Sequence, residues 1–228
     1  MISSFCVFLP GTLCDERIFQ YQLREFPNHA VIDLRHSDSI EEMLELVRKL
    51  PQKKMTLIGF SMGGHVAQEF AIKYPERVEK LVVIAASGEG YPPEEKKLVL
   101  DTLPALEKGK FTGITDKRLK DYLAPASYEN LEIRNTIHAM AGADAKEVYL
   151  RQLKATLERR NISADLQKVT LPMLYVAGED DKIVLPSAIE RTAKNPKNAK
   201  FESLNDCGHF VPLEQPGILN MILLDFIS

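Results

Sequence analysis

A chain of 228 residues, 45% hydrophobic and 27% charged, has the make-up of one sizeable globular domain with room for an insertion, not of two equal domains. Its net charge is only −3 and no stretch gathers Lys or Arg beside aromatic residues, which argues against a nucleic-acid partner. Cys6, Cys14 and Cys207 are odd in number and form no CxxC pair, so reduced thiols are expected rather than a disulfide framework or a zinc site.

The opening residues, MISSFCVFLPG, hold a short apolar run with no basic residue ahead of it and no cleavage site. No secretory signal is read there, and no apolar run approaches the length of a membrane span, so a cytoplasmic protein without membrane insertion is expected. Runs rich in apolar and β-branched residues at 5–9, 30–34, 55–60, 78–85, 173–177 and 200–204 read as strands. Helical spacing fills the gaps near 15–26, 39–50, 62–74, 186–194 and 217–227. Strands alternating with helices imply parallel crossovers and a sheet covered on both faces.

One interval breaks that rhythm. Between residues 89 and 165 no strand pattern occurs, and helical stretches near 93–108, 116–122, 128–141 and 143–160 are punctuated by Pro104, Pro125 and Gly142. The sequence GKFTG at 109–113 only faintly resembles a phosphate loop, since no Ser or Thr follows Lys110 and Pro104 stands where the first glycine belongs; a turn is expected.

The stretch TLIGFSMGGHVAQEFAIKYP, residues 56–75, passes from strand to helix at Ser61. A chain that turns so sharply leaves its corner residue strained and its side chain pushed outward, and side chains two positions either side would collide, so Gly59 and Gly63 suit the corner. The helix that follows aims unpaired N–H groups at the same corner, where they would stabilise an oxyanion. A serine nucleophile needs a base, and the base an orienting carboxylate. Of the five histidines, His29 and His36 flank a strand, His65 lies on the helix past the corner as a structural or surface residue, and His138 falls in the helical insertion. His209, in NDCGHFVPLEQP, follows the last strand at the carboxyl edge of the sheet, where open α/β folds place their sites. A matching acid follows another strand in LYVAGEDDKIV, at Asp180 or Asp181.

Five pieces, LPGTLCDERIF, VIDLRHSDS, LIGFSMGGHVAQEFAIKYPERVEKLVVIAAS, LPMLYVAGEDDKIV and DCGHFVPLEQP, occur in the order Ser, Asp, His. Together they resemble the α/β-hydrolase fold superfamily, within it the bacterial esterase, haloperoxidase-like and C–C hydrolase cluster, over the whole chain except the insertion. The resemblance implies Ser61 as nucleophile, His209 as base and Asp181 as acid, by the family spacing Gly-x-x-Asp from Gly178. Glu89, just past an earlier strand, is a third candidate for the acid. The resemblance also implies the backbone N–H groups of Thr12 and Met62 as the oxyanion hole. One departure is Pro10-Gly11 where relatives carry His-Gly, a change that bears on the loop around Thr12.

The implied architecture is α/β, an open, mainly parallel sheet of about six strands rather than eight, with helices on both faces. Residues 1–88 and 166–228 would form the core domain, and 89–165 a helical cap inserted before the last two strands. Leu13, His138, Met140 and Phe210 are taken as pocket residues. The implied activity is hydrolysis of carboxylic esters of small to medium acyl groups through an acyl-enzyme, with no cofactor and no metal. The same three side chains would also serve C–C bond hydrolysis, a lyase step or perhydrolysis, and some members of the fold are non-enzymatic small-molecule receptors.

Overall fold

The computed structural model describes residues 4–91, 93–111 and 113–228. Residues 1–3, Pro92, and Thr112 of the turn expected at 109–113 lie outside it. The described residues contain one six-stranded sheet: β1 (Cys6–Leu9), β2 (His29–Val31), β3 (Met55–Phe60), β4 (Val78–Ile84), β5 (Met173–Gly178) and β6 (Ala199–Leu204), in the order β2-β1-β3-β4-β5-β6. Every pairing is parallel. The expected fold class and strand number are therefore the observed ones.

The sequence of β3, MTLIGF, explains its place: every residue is buried, as a central parallel strand covered on both faces requires. Alternate residues divide between two cores. Phe8, Ile58, Phe60, Val82 and Ile84 face one layer, against Phe19, Leu219 and Leu223. Val7, Leu9, Leu57, Val83 and Tyr175 face the other, against Val47, Val66, Phe70 and Ile189. Each such side chain contributes roughly 1.5–3 kcal/mol by leaving water. Leu219 and Leu223 belong to the last helix, Pro216–Ile227; Val66 and Phe70 belong to the helix after β3, Met62–Lys73.

Some expected helices differ in detail. Residues 15–26 do not form one helix but a 3-10 turn, Glu16–Phe19, and a short helix, Gln22–Glu25. Asp15 accepts the Arg17 N–H and tightens the first turn, and Phe19 and Phe26 are both buried in the same core. The stretch at 128–141 is split into Pro125–Glu129 and Leu131–Ala141 because the Asn130 side chain accepts the N–H groups of Glu132 and Ile133, starting a new helix. Among the described residues the segment between β4 and β5 holds helices and loops but no strand, with Pro93–Lys108 first and Ala145–Leu157 ahead of a last short helix, Ser163–Leu166. Among the described residues no helix is long and apolar enough to cross a membrane.

Candidate active site

Ser61 stands between β3 and the helix Met62–Lys73 with φ 51° and ψ −117°, a conformation that non-glycine residues rarely hold. Its neighbours hold it there. The Ser61 N–H donates to Ile84 C=O at 2.9 Å, and its own carbonyl accepts the His65 N–H at 3.1 Å to start the helix. Glycine is required on both sides: a Cβ at Gly59 would collide with the Gly63 carbonyl oxygen, and one at Gly63 with the Leu9 carbonyl oxygen at the end of β1.

β5 ends at Gly178, and three residues later Asp181 turns inward, 2% exposed. Its Oδ1 accepts the N–H groups of Ile183 and Val184 at 2.8 and 2.9 Å, which leaves Oδ2 aimed at His209. His209, 3% exposed, lies in the loop after β6 with Nδ1 2.8 Å from Asp181 Oδ2 and Nε2 3.0 Å from Ser61 Oγ. The carboxylate beside Nδ1 places the imidazole proton there by inference, so Nε2 presents its lone pair to the serine hydroxyl. Such a series can draw a proton from a hydroxyl as the oxygen attacks an electrophile.

The loop carrying His209 is clamped. His209 N–H donates to Tyr122 C=O at 2.6 Å, while Gly208 N–H and Phe210 N–H donate to the two oxygens of Glu214, both at 2.9 Å. Glu214 Oε2 also accepts the Ala124 N–H from the inserted helices at 2.9 Å. Burial pushes the Glu214 carboxyl above its ordinary range, and these backbone donors pull part of the way back. Around the imidazole stand aromatic rings: Phe60 at 5.2 Å, Tyr122 at 5.7 Å and Phe210 at 5.9 Å between centroids. Burial pushes the Tyr122 phenol up to about 12, so it stays protonated.

A family model described as alpha/beta hydrolase fold matches residues 15–216. The chain belongs to the alpha/beta hydrolase fold family. Among its relatives, bovine monoacylglycerol lipase ABHD6 is 28% identical over 191 residues, 79% of this chain and 56% of that one. The 2-hydroxy-6-oxononadienedioate/2-hydroxy-6-oxononatrienedioate hydrolase of Paraburkholderia phymatum is 31% identical over 179 residues, 75% of this chain and 62% of that one. The chain thus spans less than two thirds of the length of these relatives. In three dimensions it superposes on a thermophilic esterase from Thermogutta terrifontis with a TM-score of 0.88 at 21% identity, covering 99% and 89% of the two chains. MenH from S. aureus gives 0.83 at 20% identity, covering 100% and 94%. These likenesses show a shared fold.

Within this alpha/beta hydrolase fold the other sequence candidates take definite places. Met62 is the first residue of its helix, so its N–H has no helical acceptor. Thr12 lies in the loop after β1, and Gly11 beside it is so near the corner that an added Cβ would sit 3.1 Å from Ser61 Cβ. Leu13 and Phe210 are buried, Phe210 against the His209 ring. His138 and Met140 separate: only Met140 shares the buried apolar cluster that holds Phe60 and Phe210. Two residues apart on Leu131–Ala141, they point to different faces: Met140 is packed in the core with Ile133 and Ile137, and His138 is exposed with Nε2 2.9 Å from Asp116 Oδ1. Asp180 is exposed and Glu89 is paired with Arg191 at 3.0 and 3.1 Å, so Asp181 is the acid in contact with His209. His65 is buried rather than at the surface, and burial holds its imidazole below the ordinary range. Glu214 escaped the sequence reading although it lies only five residues past His209 in DCGHFVPLEQP; nothing local marks it as buried.

Proposed function

We propose that this protein is a serine hydrolase cleaving carboxylic esters of small to medium acyl groups. The observation that carries this is the unbroken Asp181–His209–Ser61 series, ending on a serine held at φ 51°. In the proposed cycle Ser61 Oγ attacks the ester carbonyl carbon as His209 Nε2 takes its proton. The N–H groups of Thr12 and Met62 receive the developing oxyanion, and the imidazolium, stabilised by Asp181, returns the proton to the departing alkoxide. Water, activated by the same imidazole, then hydrolyses the acyl-enzyme. The cycle requires neither metal nor organic cofactor. The helices between β4 and β5 act as a cap over the substrate.

The name of the bovine relative, a monoacylglycerol lipase, also supports an ester substrate. The aromatic surround of Phe60, Tyr122 and Phe210 suits an uncharged acyl group, because a charge buried there would lack a partner. A second reading, C–C bond hydrolysis by the same three side chains, draws on the Paraburkholderia phymatum relative, named for a dioate substrate. Turnover of p-nitrophenyl esters of graded chain length tests the first reading. It predicts hydrolysis that vanishes in Ser61→Ala, and covalent labelling of Ser61 by a fluorophosphonate. Failure of every ester, with cleavage of a vinylogous diketone acid, would transfer the assignment to C–C bonds. Stoichiometric binding without product release would instead indicate a receptor.

A further inference from the structure

The loop after β1 contains a tight turn whose conformation its own residues do not favour. Cys14 N–H donates to Gly11 C=O at 3.1 Å, closing a turn with Thr12 and Leu13 at its centre. Leu13, third in that turn, has φ 58°. A positive φ at this position is the mark of a type II turn, where glycine is usual and a leucine strained. The related type I turn differs by a flip of the central peptide, here Thr12–Leu13, and suits leucine better. Something must hold that peptide in place.

Gln152 does so from the inserted segment. It lies on Ala145–Leu157 and is 0% exposed. Its Oε1 accepts the Leu13 N–H at 2.9 Å, the donor of the central peptide itself, and its Nε2 donates to Leu34 C=O at 3.4 Å. The same helix grips the Leu13 side chain through Ala145 and Val148. On the other flank Gly11 leaves no room for a side chain, since an added Cβ would meet Phe60 at 2.9 Å and Ser61 at 3.1 Å, so Thr12 sits between close neighbours on both sides. A flipped central peptide would turn the Thr12 carbonyl toward Gln152 Oε1, oxygen against oxygen.

We infer that Gln152 is a positioning residue: by binding the Leu13 N–H it pins the strained turn in place, and with it the loop that presents the Thr12 N–H to the reacting carbonyl. The inference rests on the ester-hydrolase reading above. The oxyanion loop of the core is thus completed by a side chain 139 residues further along the chain.

The test compares wild type, Gln152→Leu and Gln152→Glu on the best p-nitrophenyl ester. Gln152→Leu should lower kcat about 10- to 100-fold, the scale of a small misplacement at a reacting centre, with KM changed less than about threefold. The shape of its kcat–pH profile should be unchanged, because His209 is untouched. Gln152→Glu should keep most of the activity at mildly acidic pH, where one carboxyl oxygen accepts the Leu13 N–H and the protonated one donates to Leu34 C=O in place of Nε2. Should Gln152→Leu fail to fold, Gln152→Met, of similar length, carries the same expectations. A Gln152→Leu or Gln152→Met enzyme within about twofold of wild-type kcat, equal losses in the glutamate variant, or a loss confined to KM would each overturn the inference. Wild type inactive on every ester and unlabelled by a fluorophosphonate would sink the hydrolase reading itself, and this inference with it.

Discussion

Replacing Glu214 by glutamine exchanges one carboxylate oxygen for an NH₂ group and disturbs three backbone donors. Oε2 accepts Gly208 N–H and Ala124 N–H, and Oε1 accepts Phe210 N–H, all at 2.9 Å. The least disruptive orientation of the new amide leaves its oxygen with the first pair and turns its NH₂ against the Phe210 N–H. That buried donor loses its acceptor, at roughly 1–3 kcal/mol, and the two remaining bonds change from charge-assisted to neutral, at roughly 1 kcal/mol each. Relief of the buried charge offsets the weakening of those two bonds, because the fold favours the neutral carboxyl, leaving about 1–3 kcal/mol from the orphaned donor. For a domain of this size that lowers Tm by about 3–10 °C. Gly208 and Phe210 bracket His209, so kcat should fall about 10- to 100-fold while KM stays near wild type. Differential scanning calorimetry and initial rates on one p-nitrophenyl ester measure both. A Glu214→Gln enzyme that melts within about 2 °C of wild type at unchanged kcat would refute the claim that this carboxylate holds the imidazole loop.

Asp181→Asn should lower kcat by about 10⁴-fold with little effect on Tm, whereas Asp180→Asn should cost only a few-fold; steady-state rates in the reverse order would reassign the acid. Gly63→Ala should destabilise the fold by about 3 kcal/mol or more in urea unfolding, because its methyl would meet the Leu9 carbonyl of β1, part of the rigid sheet. Glu214 also sets a pH signature. Its folded pKa lies above the ordinary 4.5, so its contribution to stability is full below that value and is lost as pH rises through the folded pKa. The Tm difference between wild type and Glu214→Gln should therefore grow on acidification, while wild-type kcat shows an added acid-side loss as the protonated carboxyl releases one of its N–H donors. Parallel melting and rate profiles showing neither trend would contradict the burial argument. His65, held below its ordinary range by burial, acts in the opposite sense: it stays neutral when folded, and stability is lost as pH falls below about 6.5, so His65→Gln should flatten the acid limb of a Tm–pH curve.

The sheet was readable because its central strands are buried on both sides and appear as unbroken apolar runs, β3 most clearly. Ser61 was readable because its conformation demands glycines at fixed spacings, and Asp181 and His209 because each follows a strand at the same edge of the sheet. Distance along the chain hid the rest. Glu214 looks like any glutamate near a last helix until Ala124, 90 residues away, comes to meet it. Gln152 is equally plain until Leu13 reaches it. For His138 and Met140 residue type alone suggested a pocket, where helix phase decides: one side chain turns out to Asp116 and the other into the cluster that holds Phe60 and Phe210. The break at Asn130 lay in view as a capping residue, yet the surrounding helical spacing masked it.

The bonds from Tyr122 C=O to His209 N–H and from Ala124 N–H to Glu214 bear on how such a protein is rebuilt in the laboratory. The helices between β4 and β5 cannot be exchanged as a free-standing cassette. Here a donor cassette must bring, besides a new pocket, one acceptor and one donor at the heights of residues 122 and 124, both of them backbone groups in this chain. A chimaera joined between residues 113 and 115 and again beyond 130 would keep the recipient's own 122–124 backbone and exchange only what lies outside it. A chimaera joined at the ends of β4 and β5 would discard both bonds, and should emerge folded but with its histidine loop loosened.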